Sequence, residues 1–328
     1  MTARLLTVDA AAPDAAVISE AAAALRAGCL VAFPTETVYG LGANALDPVA
    51  VARIFAAKGR PATNPLIVHV TGPAQALELA AVWPPEAVLL AQRFWPGPLS
   101  LVLPRTGRVC DAVTGGGPTV ALRMPAHPVA LALLEAAGVP AAAPSANRST
   151  RLSPTTAQHV ARQLGGQIDI ILDAGPCAGG IESTVLDLTT LPPRVLRPGL
   201  ITAAEISAVI AMPVESGGHM PRRRGQPAKS PGQMARHYAP LTRLVLTPPD
   251  QLTAPACGRA AYVLLSTEEP AGAVETIRLP SDPRRYAARL YATLHHLDEL
   301  GLDVIVVEMP PDTPDWAAVR DRLMRAAR

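Results

Sequence analysis

The side chains best suited to chemistry in this sequence are basic residues and hydroxyls. Lys58 and Arg60 are two residues apart, and Pro61 biases the backbone of Arg60 toward an extended conformation. Both side chains can then project to one side, where an ammonium and a guanidinium group suit a phosphate. A solvated basic pair is the alternative interpretation, and the usual surface location of Lys and Arg favours it when the pair is considered alone.

A glycine-rich segment offers a second place for an anion. Three consecutive glycines lie between Thr114 and Thr119, and Arg123 extends from the strand-like run that follows them. Glycines permit close approach of the backbone to a ligand, and the guanidinium would supply charge. A flexible hairpin tip explains the glycines equally well.

A third candidate is the segment that begins at Ser145 and Asn147. Ser153 and Pro154 follow it and are typical of a helix start, with Ser153 as the cap and Pro154 at the first helical position. The free N–H groups of such a start would suit a phosphate, although most caps serve only their helix. Ser183 and Arg197 lie in two further short motifs that are individually weak.

One glycine motif has the spacing of a dinucleotide-binding turn, but the residues around it do not fit that function. Gly40, Gly42 and Ala45 fit the G-x-G-x-x-A spacing of a dinucleotide-binding turn. However, Asp47 indicates a helix start beyond the motif, and no acidic residue occurs between Asp47 and Glu78 to bind a ribose. A tight turn is the alternative role for these glycines, and it leaves a polar cluster before them unexplained: Thr35, Glu36, Thr37 and Tyr39.

Several chemistries are absent from the pattern. His69 stands alone in an apolar strand-like run, where a histidine is more often a hydrogen-bonded core residue than a ligand. No nucleotide-binding G-x-x-x-x-G-K-[ST] motif occurs, and four cysteines without a C-x-x-C argue against a zinc site or a disulfide framework. The basic residues, hydroxyls and glycines together favour binding of a polyphosphate and a small polar molecule, with catalysis by positioning and charge stabilisation.

Strand-like and helix-like segments alternate along the first 200 residues and predict an α/β or α+β fold with mixed strand order. The predicted strands are Leu30–Phe33, Leu66–Val70, Leu99–Leu103, Thr119–Leu122, Ile168–Leu172 and Thr184–Leu188. The predicted helices are Val17–Ala27, Val49–Ala57, Ala74–Val82, Val129–Ala137 and Thr155–Leu164.

A second α/β unit is predicted after a linker. Residues Met212–Pro240 are rich in Gly, Pro, Arg and Ser and lack apolar periodicity. Six basic and no acidic residues occur within Ser216–Pro249, against 23 basic and 27 acidic residues elsewhere, so the net charge of +2 describes neither part. Buried strands and helices are predicted beyond the linker: strands Thr242–Leu246, Ala260–Leu265 and Val304–Val307, and helices Asp282–Leu300 and Asp315–Ala327.

The chain of 328 residues shows no run of about 18 apolar residues without a charge, and its first residues lack the pattern of an export signal. We therefore expect a cytoplasmic protein that does not span a membrane.

The motifs, taken in order and spacing, resemble the YrdC-domain family of threonylcarbamoyl-AMP synthases in its long, two-domain form. The matching segments are Val31–His69, Thr119–Pro125, Ser145–Asn147 with Ser153–Thr155, Glu182–Thr184, Leu196–Gly199, and, in the linker, Ser230–Gly232 and His237–Pro240. The resemblance covers about residues 10 to 205 and the linker. It implies a twisted mixed α/β sheet with an open concave face over residues 1–205, a linker and possible active-site lid over 206–241, and a small Rossmann-like domain over 242–328.

The function that the resemblance implies is nucleotidyl transfer. L-Threonine, bicarbonate and ATP would give threonylcarbamoyl-AMP and pyrophosphate, with Mg²⁺ as the expected metal and no metal ligands evident. Separate machinery would then transfer the threonylcarbamoyl group to the adenosine beside the anticodon of tRNA, so that contact with tRNA is indirect.

The resemblance also assigns roles to individual residues. The threonine-binding set is Thr37, His69, Arg123 and Ser183. The ATP-binding set is Lys58, Arg60, Asn64, Thr119, Ser145, Asn147, Ser153 and Arg197. Lys58 and Arg60 are the expected catalytic residues, His237 and Tyr238 would belong to the lid, and Glu36 and Glu182 are weaker candidates for proton or metal handling.

Two limits and one alternative accompany these assignments. Thr150 stands where many members have glycine, and Met212–Ala228 has no counterpart in the family pattern. An RNA-binding module with a positive concave face is the alternative from another class. Its weakness is the aromatic content of 3%, which leaves little material for base stacking.

Overall fold

The computed structural model describes residues 2–216, 237–253 and 258–328, which form two β-sheets flanked by helices. The strands are β1 (Arg4–Thr7), β2 (Val31–Phe33), β3 (Gly40–Asn44), β4 (Ile67–His69), β5 (Leu99–Pro104), β6 (Thr119–Arg123), β7 (Ala141–Ala142), β8 (Ile170–Asp173), β9 (Thr184–Asp187), β10 (Arg194–Arg197), β11 (Glu215–Ser216), β12 (Arg243–Thr247), β13 (Ala260–Leu264), β14 (Glu275–Arg278) and β15 (Val304–Glu308). The helices are α1 (Ala15–Arg26), α2 (Pro48–Lys58), α3 (Pro73–Leu79), α4 (Pro85–Phe94), α5 (Asp111–Thr114), α6 (Pro128–Ala137), α7 (Ala157–Leu164), α8 (Ala203–Ile210), α9 (Pro283–Asp298) and α10 (Ala317–Ala326).

The large sheet is mixed, which confirms the predicted α/β class. Its strand order is β1-β8-β2-β3-β7-β4-β6-β5-β9-β10-β11. Strands β4 and β6 are parallel, whereas β5 runs antiparallel to β6 and β10 runs antiparallel to β9. Its central strands are buried on both faces, as near-continuous apolar runs such as Leu99–Leu103 require.

This topology brings the ends of several strands to one edge of the sheet. His69 and Arg123 are the last residues of β4 and β6 and pair in register. Because β5 and β9 are parallel to each other and antiparallel to β6, their first residues meet the carboxyl end of β6. Ser183, just before β9, and Arg197, at the end of β10, therefore reach the same edge.

Helix α2 delivers Lys58 through local sequence signals. The Asp47 side chain accepts a hydrogen bond from the backbone N–H of Val49, and Pro48 takes the first helical position, where no N–H is needed. Gly59 ends the helix in a left-handed conformation with φ of 61°. Lys58 is the last helical residue, so its side chain leaves the helix at a fixed point.

The second unit is a four-stranded, all-parallel sheet in the order β12-β15-β13-β14, as expected for a Rossmann-like domain. At the carboxyl end of β15, the Glu308 carboxylate accepts hydrogen bonds from the backbone N–H groups of Leu265, Ser266 and Thr267 and from both hydroxyls of the last two. Burial would raise the pKa of Glu308, but these donors lower it to about 2. The loop after β13 is thus filled by a carboxylate of the same domain.

One apolar cluster joins the two units. Val38, Leu152 and Ile181 of the first unit belong to the same buried cluster as Leu290 of α9 and Val319 of α10. Gly180 has φ of 73°, and a Cβ atom there would lie 2.3 Å from the carbonyl oxygen of Ala287. The backbone of α9 therefore packs directly on the loop that precedes β9.

Two local predictions are wrong. Ser153 does not cap a helix, because α7 begins four residues later, where the Thr156 side chain accepts a hydrogen bond from the N–H of His159. Gly40 and Gly42 lie in β3 instead of a tight turn, and a Cβ atom at Gly42 would lie 2.7 Å from the Phe33 ring. The strand needs glycine there because the aromatic ring occupies the space of a side chain.

Several elements were not predicted. Pro84 and Pro85 suggest a break in structure, whereas Pro85 occupies the first position of α4. β10 and β14 are four residues each, too short for a clear period. Within residues 2–216, 237–253 and 258–328, no helix has the length and apolar character needed to cross a bilayer.

Candidate active site

Lys58 is buried beside the segment that carries Ser145 and Asn147. Its Nζ donates hydrogen bonds to the backbone carbonyl oxygens of both residues. Burial, and then the charge of Arg60, lower the pKa of Lys58 well below its ordinary value. Two carbonyl oxygens hold the Lys58 ammonium in place. A bound anion would supply the charged partner that these neutral oxygens do not provide.

Arg60 is anchored by the loop that follows it. Its Nε donates to the carbonyl oxygen of Asn64 at 3.3 Å and its Nη2 to that of Pro65 at 3.0 Å. Burial lowers the pKa of Arg60 to about 10. Thr119 begins β6, two residues before Ala121, which pairs with Ile67 after this loop.

The segment from Ser145 to Ser153 is held by polar side chains. The Ser145 hydroxyl donates to Asn147 Oδ1, and Asn147 Nδ2 donates to the carbonyl oxygens of Arg148 and Arg151, each at 2.8 Å. The Ser153 hydroxyl donates to Glu182 Oε1. These bonds fix the segment opposite the Lys58 side chain.

Arg123 organises the predicted threonine-binding residues. Its Nη2 donates to Glu36 Oε1 at 2.6 Å and to the Thr37 hydroxyl at 3.0 Å, while its Nε donates to the carbonyl oxygen of Gly97 at 3.2 Å. Thr35 and Thr37 hydroxyls are 2.7 Å apart. Two members of the polar cluster after β2, Glu36 and Thr37, therefore accept hydrogen bonds from Arg123, whereas the Tyr39 hydroxyl donates to the carbonyl oxygen of Gly175.

Ser183 and Arg197 join the two predicted sets. Arg197 Nη2 donates to the Ser183 hydroxyl at 3.0 Å, and its Nε donates to the Ser183 carbonyl oxygen at 3.0 Å. The Ser183 hydroxyl also lies 2.9 Å from that of Ser100. Arg197 of the predicted ATP-binding set thus bonds directly to Ser183 of the predicted threonine-binding set.

His237 and Tyr238 lie against this site. Both side chains are buried, and their rings are 4.0 Å apart between centroids. Burial lowers the pKa of His237 to about 3, and Lys58, Arg60 and Arg197 contribute in the same direction. Of the predicted linker over 206–241, residues 206–210 belong to α8, Glu215–Ser216 form β11, and residues 217–236 lie outside the described residues.

Unpartnered polar atoms concentrate at the predicted site. Among the described residues, seven buried side-chain nitrogen or oxygen atoms have no hydrogen-bond partner in the protein, and five of them belong to predicted site residues. They are Asn64 Nδ2, both ring nitrogens of His69, His237 Nδ1 and the Tyr238 hydroxyl. Because buried polar atoms without partners are costly, this concentration indicates a place for a polar ligand.

Three participants were not predicted. Ser100 is the one polar residue in the apolar strand β5, and this could have indicated a role in the site. Arg322 and Tyr291 come from the C-terminal domain and contact Glu182: Arg322 Nε at 2.7 Å and the Tyr291 hydroxyl at 3.3 Å. Arg322 lies three residues after Val319 and therefore on the buried face of α10. This spacing indicates a charged side chain that is directed into the core.

The acidic side chains bonded to these residues are not arranged to hold a metal. Glu36 accepts from Arg123 and from the N–H of Ala126, and Glu182 accepts from Ser153, Tyr291 and Arg322. In the described part of the chain, no three His, Cys, Asp or Glu side chains group as metal ligands would. The three described cysteines, Cys29, Cys110 and Cys177, are free thiols.

Comparison with known families identifies the family to which both domains belong. A family model named for Sua5, YciO and YrdC and described as "Telomere recombination" matches residues 23–199, and one described as "Threonylcarbamoyl-AMP synthase, C-terminal domain" matches residues 201–328. The chain belongs to the threonylcarbamoyl-AMP synthase family. The members of this family are nucleotidyltransferase-type enzymes, and the predicted two-domain resemblance is confirmed.

Relatives of the family match over nearly the whole chain. The threonylcarbamoyl-AMP synthase of Pyrococcus abyssi is 45% identical over 94% of this chain and 93% of its own length, and that of Bacillus subtilis is 45% identical over 94% and 92%. A crystal structure of P. abyssi Sua5 complexed with L-threonine has a TM-score of 0.89 and 42% identity, covering 98% of this chain and 97% of that one. The threonylcarbamoyl-AMP synthase fold thus extends through both domains.

Proposed function

We propose that the chain condenses L-threonine, bicarbonate and ATP into threonylcarbamoyl-AMP and pyrophosphate. The observation that carries the proposal is the burial of four cationic side chains, together with the unpartnered polar atoms of other predicted site residues. Lys58, Arg60, Arg123 and Arg197 are each no more than 7% exposed. Buried cations suit small anionic substrates and disfavour the RNA-binding alternative, which needs exposed charge.

Threonine would bind at the Arg123 end of the site. The guanidinium can pair with the threonine carboxylate, and its present bonds to Glu36 and Thr37 hold it in position for that role. His69 and Ser183 would meet the remaining polar groups of threonine. With its carboxylate held by Arg123, threonine would keep its amine free to react with bicarbonate.

The chemistry would proceed in two bond-forming steps. The threonine nitrogen attacks the carbon of bicarbonate, and loss of water gives a carbamate. A carbamate oxygen then attacks the α-phosphorus of ATP, and the bond from that phosphorus to the bridging oxygen breaks to release pyrophosphate. Lys58 and Arg60 would stabilise the charge that develops on the leaving pyrophosphate.

The remaining nucleotide contacts follow from the same geometry. Asn64, Thr119, Ser145, Asn147, Ser153 and Arg197 would bind ATP beside the catalytic pair. His237 and Tyr238 would form part of a lid over the nucleotide, since both are buried and the charges of Lys58, Arg60 and Arg197 act on His237. Mg²⁺ would enter as part of the MgATP substrate, because Glu36 and Glu182 are already occupied and no step is assigned to a metal held by the protein.

The product would be used in tRNA modification. A mixed anhydride such as threonylcarbamoyl-AMP is an activated acyl donor, so separate transfer machinery must accept it and carry the group to the adenosine beside the anticodon. The domains would be a catalytic unit over 1–205, a linker over 206–241 and a C-terminal unit over 242–328. We place the reaction in the cytoplasm, where tRNA, ATP and threonine occur together.

The test is pyrophosphate release from ATP with threonine and bicarbonate supplied singly and together. Release is expected only when both are present, and L-serine in place of threonine serves as the specificity control. Release that does not depend on threonine would refute the proposed function. Salt-sensitive tRNA binding tighter than ATP binding would support the RNA-binding alternative instead.

A further inference from the structure

Arg322 is a fully buried arginine on α10 of the C-terminal domain, with a side-chain exposure of 0%. Its Nε lies 2.7 Å from Glu182 Oε2 and its Nη1 lies 2.7 Å from Asp321 Oδ2. Burying a guanidinium is costly unless it is paired, and both of these partners are acidic. An apolar residue would fill the same position in a domain interface, so the charge calls for an explanation beyond packing.

The partner of Arg322 belongs to the predicted substrate site. Glu182 immediately precedes Ser183, and its other carboxylate oxygen accepts the hydroxyl of Ser153. Burial would raise the pKa of Glu182, but Arg322 and Arg197 hold it at about 2. The carboxylate is therefore ionised, and its orientation is set by Arg322 on one side and Ser153 on the other.

The same arginine supports the segment that leads out of the linker. Its guanidinium carbon lies 5.0 Å from the centre of the Tyr238 ring, within the range of a cation–π contact. The N–H of His237 donates to the carbonyl oxygen of Arg325, one turn further along α10, at 3.2 Å. One helix of the C-terminal domain thus contacts both a site carboxylate and the residues of the proposed lid.

We propose that Arg322 is a positioning residue for the active site, which orients Glu182 and hence Ser153 and supports Tyr238 over the nucleotide. The inference rests on the proposed function and adds to it a role for the C-terminal domain. Arg322 touches no reacting atom, so its effect passes through Glu182 and Tyr238. The nucleotide half of the site depends on it, whereas Arg123 and Thr37 do not contact it.

Steady-state pyrophosphate release by the full-length chain tests this role with Arg322→Met, which removes the charge while filling the space. We expect the KM for ATP to rise at least tenfold, so that kcat/KM for ATP falls at least tenfold, and the KM for threonine to change less than twofold. Loss of folded protein alone would lower the active fraction and leave both KM values unchanged, so this split separates positioning from stability. Arg322→Lys, which keeps the charge, should recover part of the loss.

Two further variants guard against misfolding of Arg322→Met. Glu182→Gln and Tyr291→Phe alter the same network by single groups, and both should lower kcat/KM for ATP in the same sense. In a double-mutant cycle, Glu182→Gln combined with Arg322→Met should cost little more than either alone, because both changes disrupt one interaction. Arg320→Met is the matched control on α10, since Arg320 pairs with Asp312 away from the site.

The outcomes are distinguishable from failure of the proposed function. If the wild-type chain shows no threonine-dependent release, the proposed function fails and the variants are not needed. If the wild-type chain is active and Arg322→Met lies within twofold of it in kcat/KM for ATP, the positioning role is wrong. Additive losses in the double-mutant cycle would also overturn it.

Discussion

At the scale of single residues, Lys58 and Arg60 differ from surface cations in having their side chains fixed by backbone carbonyl oxygens. Lys58→Met and Arg60→Met should each reduce threonine-dependent pyrophosphate release at least a hundredfold, since charge stabilisation by one preorganised donor is worth about 2.7–4 kcal/mol. Arg53→Met on the half-exposed face of the same α2 helix is the control. If both variants turned over at a near-normal rate, Lys58 and Arg60 would have only a structural role.

Arg123 is predicted to determine threonine binding separately from ATP binding. Arg123→Lys keeps the charge but cannot donate to Glu36, Thr37, Gly97 and a substrate carboxylate together. A hydrogen bond to a charged group contributes about 1.5–3 kcal/mol, so the KM for threonine should rise about 10-fold to 150-fold. Substrate titrations that show equal rises for threonine and ATP would contradict this assignment.

The sequence supplied candidate site residues but not their contacts. The local pattern of Lys58 and Arg60 alone favoured a solvated pair, and the family resemblance assigned both residues to the predicted site. The contact of Arg322 with Glu182 joins positions 140 residues apart, and only the docking of two domains creates it. Ser153 was predicted as a site residue for a wrong local reason, because its hydroxyl serves Glu182 and Thr156 caps the helix.

At the scale of elements, the contact of α9 with the Gly180 loop can be tested against a matched glycine. Gly180→Ala places a Cβ atom 2.3 Å from the Ala287 carbonyl oxygen, whereas Gly175→Ala, at φ of 80°, meets no atom within 4 Å. Both variants carry the cost of a left-handed alanine, about 1–2 kcal/mol, and only the first displaces α9. We expect a lower Tm and lower activity for Gly180→Ala than for Gly175→Ala; equal values would refute the close contact.

Helices α7 and α9 also meet through His159 and His295, whose rings stack with centroids 3.8 Å apart. Burial lowers the pKa of His159 to about 3 and that of His295 to about 4, with Arg162 opposing charge on both and Asp298 favouring it on His295. Between pH 6.5 and 4 the unfolded chain therefore binds protons that the folded chain does not, and the free energy of unfolding falls as the pH falls.

Denaturant unfolding at pH 7.5 and pH 5 measures this effect. The wild-type chain should lose more stability on acidification than the double variant His159→Gln/His295→Gln. The pKa values of Glu182 and Glu308 are lowered to about 2. These two groups therefore reduce the stability only when the pH falls below the ordinary glutamate pKa of about 4.5. An unchanged pH dependence in the double variant would show that the stacked pair is not the source.

At the scale of the whole molecule, the two domains are joined by polar and apolar contacts at the same place. Val38, Leu152 and Ile181 pack into the cluster that contains α9 and α10, and Glu182, next to Ile181, meets Arg322 and Tyr291. Two ion pairs, Arg284 with Glu205 and Arg162 with Glu299, lie at the exposed rim. Composition and charge predicted two units and a basic linker, but they could not show that one apolar cluster joins the units, since that depends on which faces meet.

Truncation after Ser216 tests this contact at the scale of the whole chain, because it removes the C-terminal domain and keeps α8 and β11 of the first unit. The shortened chain should expose Val38, Leu152 and Ile181 and leave Glu182 without Arg322, so it should bind an apolar dye and lose at least tenfold in threonine-dependent pyrophosphate release. The full-length Arg284→Ala variant is the control, because it removes only an exposed pair of little expected energy. Retention of full activity by the shortened chain would mean that the C-terminal domain and His237–Tyr238 act as a dispensable attachment, and both the lid and the Arg322 contact would lose their roles together.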